Sequence, residues 1–484
     1  MKKNELTGTP IVVRVNAGKV LHSMQGGVGA SWHAMSRPIP LDNEKYDYPV
    51  RHINPRGSGW GGVPPVSDRK AWDQICAHAS WLGLNFIRVE LSMRMYEPAR
   101  NLFDWENEEM RALYRILDWC QASGAEVFLQ QMWSHVDWNA YPGVHPLLSA
   151  PRSIDDFARG ISALLRHLIR KKKYTCVKYF CITNEPPGGT WGYWWSYGSG
   201  SGSISQALKK VRETLDAAGL HVKLSGPDWT SLPPFDRRKI DFDKSIGAYD
   251  IHSYDGIDAS GERIIRDWVR WAHSRKKPFF VTEFGNMSLG WGGENPGPKS
   301  FDAALSNASD MISCLNIGVD GMNRWSFVNR GDLDGQWQLI RTWDRKKKSF
   351  LKKIEPEPAA YFGFAIMSRY MGMHGDVVEV SASNSTAEFR TTAVLNKSGA
   401  LSVYFINKGA TSKRLLIRIA GHHSPGEMYL YQASERLVAA SNFSLEPAIV
   451  PSNNSHERLL TLPAKSISVL TDYYLASKDP GIIR

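Results

Sequence analysis

The 484-residue chain has no apolar run near the ~20 residues that cross a bilayer, which excludes a membrane-spanning helix. Its first residues, Met1-Lys2-Lys3-Asn4, are basic, but the apolar stretch of a secretory leader does not follow. A cytoplasmic location is the expectation, or a secreted one if such a leader has been removed. Cysteine is scarce. The five thiols (Cys76, Cys120, Cys176, Cys181 and Cys314) cannot all pair, and none stands in a CxxC or Cys/His spacing. A disulfide framework and a zinc site are therefore not expected, and the thiols read as small core residues. Internal repeats and low-complexity tracts are absent too.

Charge is not absent but lopsided: 59 Lys and Arg face 48 Asp and Glu, a net +11. Such an excess attracts nucleic acid when it is clustered beside a recognition motif. Here the densest runs, 170–173, 275–277 and 345–348, fall where helices end or loops begin, where cations suit the helix dipole, and no such motif accompanies them. Neither a nucleic-acid nor a membrane partner is expected. His422-His423 stands alone in a turn and reads as surface. No ligand set calls for a metal, and no cofactor is expected.

What the chain does have is length and a regular alternation. With 42% hydrophobic residues it can bury a large core and carry a smaller companion domain. Short β-rich runs at 25–32, 86–90, 126–133, 177–184, 224–226, 249–254, 278–284 and 321–327 are separated by stretches of helical period, including 68–82, 106–123, 154–172, 203–218, 261–274 and 301–315. Eight strands with intervening helices predict a (β/α)8 barrel over 22–355. Beyond Pro356-Glu357-Pro358 and one helix at 359–370, alternating segments without interposed helices predict an antiparallel β-sandwich over 356–484. A strand at 10–15, within 1–21, is expected to join it.

Barrel chemistry gathers at the C-terminal ends of the strands. The fourth strand ends in Thr183-Asn184-Glu185-Pro186 and the seventh in Thr282-Glu283-Phe284-Gly285, which places two carboxyl groups on one rim. Taken singly, each glutamate could cap a helix or pair with an arginine. Together they suit glycosidic cleavage, which needs two carboxyl groups flanking the bond, about 5–5.5 Å apart for a retaining enzyme. Sugars also present apolar faces, and the chain has 18 tryptophans, several beside strand ends.

These two motifs resemble the acid/base and nucleophile motifs of clan A glycoside hydrolases, the group containing families 5, 30 and 39. The C-terminal part is similar to the sandwich of families 30 and 39 through Pro358-Ala359-Ala360-Tyr361-Phe362-Gly363 and 462–470. The resemblance implies a retaining β-glycosidase acting on β-linked oligo- or polysaccharide, with Glu185 as acid/base and Glu283 as nucleophile. Glu185 should then hold a proton near neutrality and Glu283 should stay ionised, with Arg88 as the cation beside it.

By the same resemblance Asn184 donates to the sugar 2-hydroxyl, Tyr254 hydrogen-bonds the nucleophile and Trp325 floors the catalytic subsite. His252 points inward two residues before Tyr254 and reads equally as a site residue or as a satisfied core polar group. Trp133, His135, Trp191, Trp194 and Trp195 are candidate subsite walls, with Asp228 and Trp229 behind them. Loops 42–65 and 191–203 could close a pocket for exo-cleavage or wall an open cleft. Arg324 is the cation placed to meet an anionic sugar. A transglycosylase would use the same residues, and a non-catalytic carbohydrate-binding barrel would be expected to lack one glutamate.

Overall fold

The computed structural model describes residues 9–483 except 37–61, 134–135, 145, 147–148, 187–203, 231, 255, 287–298, 330–336, 345, 385, 424–426, 441 and 453–456. After an opening strand, β1 (Ile11–Ser23), a parallel sheet winds through β2 (Val28–Ala30), β3 (Trp32–His33), β4 (Phe86–Ser92), β5 (Glu126–Trp133), β6 (Val177–Cys181), β7 (Lys223–Trp229), β8 (Ala248–Tyr254), β9 (Phe279–Gly285) and β10 (Gly321–Arg324). β2 pairs with β10 and β3 pairs with β4, so the first barrel strand is used in two pieces to close the ring. The expected unbroken run at 25–32 is thus corrected to two short ones. The break lies at Ser31, whose N–H donates to the Arg324 carbonyl at 2.9 Å.

That closure depends on glycine. A Cβ on Gly29 would meet the Phe86 carbonyl oxygen at 1.8 Å, and one on Gly27 would meet the Asn85 side chain at 2.0 Å. Asn85 in turn accepts from the Val28 N–H at 2.8 Å, so the two backbones are locked at contact distance.

Helices Arg69–Trp81, Glu108–Ser123, Ile154–Arg166, Ile204–Ala217, Ala259–Ser274 and Phe301–Ile317 ring the barrel. Their caps explain their starts: Asp68, Asn107, Ser153, Asp258 and Ser300 each accept from a first-turn N–H. The segment expected as one helix over 154–172 passes at Arg166 into a π turn, His167–Lys171. There the His167 ring stacks on Trp105 at 4.2 Å and meets the Tyr114 hydroxyl at 2.8 Å.

The barrel interior is layered. At the bottom Phe86, Phe128, Tyr179 and Phe280 form an aromatic plug, with Phe280 4.9 Å from both Phe86 and Tyr179. Strand alternation carries the chain upward from this plug through Phe86, Arg88 and Glu90 on β4 and through Ala248, Asp250 and His252 on β8, so the mouth is lined by polar groups. The main core lies outside the ring, between strands and helices.

A second nine-stranded sheet holds β1 and the later strands β13 (Asp376–Ala382), β14 (Phe389–Leu395), β15 (Leu401–Asn407), β16 (Lys413–Ala420), β17 (Glu427–Ser434), β18 (Ala448–Pro451), β19 (Glu457–Leu462) and β20 (Ser466–Thr471) around its own core of Val13, Val15, Val403, Phe405 and Leu415. It is antiparallel except at one seam, where β1 runs parallel to β16. Sequence reading overlooked β18, β19 and a hairpin, β11 (Ile340–Asp344) with β12 (Ser349–Pro356). Residues 346–348 of the third basic run therefore lie in a turn before a strand and not at a helix end. His422 is corrected as well: it is partly buried and bonds Asp472 at 2.6 Å, while His423 is exposed. All five cysteines are free, and no helix among the described residues is long and apolar enough to cross a membrane.

Replacing Gly29 by alanine should destabilise the protein by roughly 2–4 kcal/mol, because backbone rather than a flexible side chain must yield. Gly18→Ala, whose nearest neighbour would lie 3.5 Å away, should change little. Denaturant midpoints for the two variants check the contrast.

Candidate functional site

β6 ends at Cys181, and the chain turns sharply over the barrel rim at Glu185, whose φ is +50°. A left-handed conformation is uncommon outside glycine, so something must hold it. The Glu185 N–H donates to Asp228 Oδ2 at 3.1 Å, and Asp228, itself at φ +58°, sits at the end of β7. On the opposite side β9 brings Glu283 up the barrel wall. The pairing of β8 with β9 shifts register between Ile251 and His252, which sets His252 directly beside Glu283.

The buried His252 imidazole joins the two glutamates. Its Nδ1 lies 2.7 Å from Glu185 Oε1 and 3.2 Å from Glu283 Oε2, and its Nε2 lies 3.0 Å from Asp228 Oδ1. One oxygen of Glu185, one of Glu283 and a ring nitrogen of His252 all fall within 4.8 Å of one another. Glu283 is further held by Arg88 Nη1 at 2.7 Å and by the Tyr254 hydroxyl, which donates to Oε2 at 2.6 Å. Arg88 Nη2 donates to Asn184 Oδ1 at 2.8 Å, and its guanidinium carbon stands 5.8 Å from the Trp325 ring. Trp325 is nearly buried and packs edge-on to His33 at 5.0 Å.

Burial and charge pull these groups in opposite senses. Burial is the largest influence on Glu185 and raises it, but the hydrogen bond and charge of His252, with Thr230 and Arg88, outweigh it and hold the carboxyl below its usual range. Glu283 goes the other way: burial pushes it up to about 7, against Arg88 and His252, with Glu185 and Glu90 adding to the rise. Burial opposes charge on His252, yet Glu283, Asp228 and Glu185 together lift it well above an ordinary imidazole. Two sequence expectations are corrected here. In the free protein Glu185 is the more acidic carboxyl, and Arg88 beside Glu283 does not keep that group in the ordinary carboxylate range. The first follows from the short His252 contact, which outweighs burial at Glu185, and the second from burial at Glu283, which outweighs Arg88 and His252.

Of the residues singled out from the sequence, Arg88, Asn184, Glu185, Asp228, His252, Tyr254, Glu283 and Trp325 converge here. The Trp133 side chain, His135, Trp191, Trp194 and Trp195 lie outside the described residues, as do 191–203 and most of 42–65. Arg324 is turned to structural use: its Nη1 donates to the carbonyls of Ser326 at 3.2 Å and Trp337 at 2.5 Å. Burial lowers it to about 10.

Sequence reading missed Glu90, buried and joined to Arg88, with its other oxygen 2.5 Å from His33 Nδ1. It also missed Gln130, which donates to Asp228 Oδ2 at 3.2 Å, and Trp337, whose ring meets Tyr254 at 5.9 Å. Period-two alternation on β4 and β5 carried the signal for Glu90 and Gln130. A metal placed among Glu185, His252 and Glu283 would compete with Arg88 and Tyr254 for the Glu283 oxygens.

A family model described as cellulase (glycosyl hydrolase family 5) matches residues 45–318. The chain belongs to this family. It is a clan A glycoside hydrolase, and its activity is that of a glycosidase. No curated protein matches the family 5 chain. Among solved structures it is similar to a glycoside hydrolase family 30 subfamily 8 xylanase from Clostridium acetobutylicum, at 14% identity and a TM-score of 0.61, covering 95% of this chain and 98% of that one. A family 30 endoxylanase from Clostridium papyrosolvens shares 11% identity at a TM-score of 0.63, covering 95% and 99%. An endo-β1,6-glucanase shares 13% at 0.64, covering 96% and 94%. At such identities the likeness is one of fold, spanning barrel and second sheet alike.

Arg88 is the strongest influence lowering Glu283, so Arg88→Met should leave that carboxyl protonated to higher pH. A raised carboxyl is neutral below its pKa, so a rate that needs it ionised rises only as pH passes through about 7 in the parent and later in the variant. The acidic limb of kcat/KM for glycoside hydrolysis, followed over pH, should move up by more than roughly one unit.

Proposed function

We propose that this family 5 protein is a retaining β-glycosidase that hydrolyses β-linked oligo- or polysaccharide of the xylan or β-glucan class by double displacement. The observation that carries the reading is the approach of the Glu185 and Glu283 carboxylate oxygens to within 4.8 Å. An inverting enzyme must fit a water between its carboxyl groups, which sets them about 6.5–9.5 Å apart. The β-glucan and xylan class is supported by the activities named for the fold neighbours, two xylanases and an endo-β1,6-glucanase.

In this reading Glu283 attacks the anomeric carbon and Glu185 protonates the leaving oxygen, after which Glu185 takes a proton from the water that opens the ester. Tyr254 and Arg88 fix both oxygens of Glu283, so the nucleophile is aimed before substrate arrives. Asn184 stands beside Arg88 at the rim, placed for the 2-hydroxyl. Trp325 supplies an apolar face under the sugar, and the 5.8 Å Arg88 contact holds its ring.

Wild-type protein assayed against aryl β-glycosides and β-linked oligosaccharides should release product of retained configuration. Glu283→Ala should abolish turnover of an activated aryl glycoside, and azide should not restore a retained product. Glu185→Ala with azide should instead yield a β-glycosyl azide, because the glycosyl-enzyme still forms and lacks only its base. The reverse pattern would exchange the two roles. Failure of the wild type on a broad panel would favour a carbohydrate-binding barrel.

A further inference from the structure

The Asp228 carboxylate bonds neither glutamate side chain, yet it reaches Glu185 by two routes, through the Glu185 N–H and through the His252 ring. Oδ2 accepts from the Glu185 N–H at 3.1 Å and from Gln130 Nε2 at 3.2 Å, and Oδ1 meets His252 Nε2 at 3.0 Å. Gln130 presents an amide nitrogen and Glu185 a backbone N–H, so both neighbours of Oδ2 are obligate donors. An acceptor at Oδ1 then requires a hydrogen on His252 Nε2. The neutral ring accordingly carries its lone pair on Nδ1, 2.7 Å from Glu185 Oε1.

We propose that Asp228 is a positioning residue that fixes this tautomer, so that Glu185 and His252 hold one proton between them and Glu185 can serve as acid and as base in turn. The proposal rests on the double-displacement reading. With the proton on Nδ1, Glu185 is a carboxylate and the ring is cationic, the arrangement favoured in the free protein. With the proton on Glu185, the ring is neutral and accepts through Nδ1, and Glu185 is the acid.

In the first half-reaction the Glu185 O–H bond breaks as the leaving oxygen gains that proton. The glycosidic C–O electron pair goes to the leaving oxygen, and a Glu283 oxygen bonds the anomeric carbon. In the second half-reaction water loses a proton to Glu185, its oxygen bonds the same carbon, and the ester C–O pair returns to Glu283. The proton count of the Glu185 and His252 pair is restored after each cycle. Besides Glu185 and Asp228, the charged and titratable groups around His252 among the described residues are Glu283, Arg88, Asp250 and Tyr254. Asp250 is pushed well up by burial and by Asp228, and Tyr254 by burial and by Glu283.

Asp228→Asn tests the tautomer directly. Its amide oxygen satisfies Glu185 N–H and Gln130, which turns its NH2 toward His252 and forces Nε2 to accept. Neutral His252 then carries its hydrogen on Nδ1, where it can donate to Glu185 but not accept, and Glu185 is confined to the carboxylate. Phenyl and 2,4-dinitrophenyl β-cellobiosides or β-xylobiosides are the probes. With the phenyl glycoside, which needs the acid, kcat/KM should fall roughly 100-fold or more. With the dinitrophenyl glycoside, whose leaving group needs no proton, it should fall less than about 5-fold. The alkaline limb should move at least one unit lower, since the pair no longer retains its proton.

Equal losses on both substrates with an unmoved pH profile would overturn the proposal and mark Asp228 as structural. No loss on either would overturn it too. Should the variant not fold, nitrogen-15 NMR of histidine-labelled wild type decides: His252 Nε2 should remain protonated from about pH 5 to 9, and an unprotonated Nε2 in that window contradicts the assignment. Wild type that cleaves neither probe would sink the β-glucan and xylan reading, while the NMR result still stands for the tautomer.

Discussion

Charge in a dry barrel must balance locally. Glu90, Glu185, Asp228, Asp250 and Glu283 all project into one small volume above an aromatic plug, where two uncompensated carboxylates would repel by several kcal/mol even at an effective dielectric of about 20. The cations that answer them are Arg88 and His252, with the His33 ring set against Glu90. Arg88 bridges Glu90 and Glu283; His252 bridges Asp228, Glu185 and Glu283. Even so the carboxylates are in excess, and the surplus is met by protons: burial pushes Asp250 well up and Glu283 up to about 7. The site's acid and base behaviour follows from that shortage of positive charge.

The same constraint explains why the polar layer sits where it does. Below it Phe86, Phe128, Tyr179 and Phe280 exclude water from the barrel base. Two inward-facing positions below Glu90 and His252 the strands reach Phe86 and Ala248, in the layer of the aromatic rings, where a carboxylate would find no cation. Residues almost a hundred positions apart converge because the ring closes, and closure turns on Gly27 and Gly29 lying against Asn85 and Phe86.

Much of this was legible in the sequence. Alternating β-rich and helical stretches gave the barrel, strand-end motifs gave the glutamates, and the clan A resemblance set Asn184, Tyr254 and Trp325 around them with Arg88 as the candidate cation. Period-two counting from Arg88 would have added Glu90. The His252 geometry was not legible, because it depends on a register shift between β8 and β9 that no local pattern encodes. Asp228 could be placed after the fifth strand but not paired, since its partners come from β5, β8 and the turn beyond β6. The relative acidity of the two glutamates in the free protein was not legible either, since it depends on how each carboxyl is buried and on where the imidazolium lies, and only the folded barrel fixes both. The parallel seam between β1 and β16 is likewise set by a strand some four hundred residues away in sequence.

Proximity of the carboxyl groups carries a further consequence. Direct attack needs them close, but close carboxyl groups cannot both ionise freely without a cation between them. An arginine there would hold both permanently charged and leave no acid. A histidine can hold a charge when both are ionised and give up its proton when one must act as an acid, and its ring is small enough to reach both from a single β8 position, at 2.7 and 3.2 Å. Which nitrogen faces the glutamates then matters as much as the ring's presence, and that choice is made behind it, by the acceptor on β7.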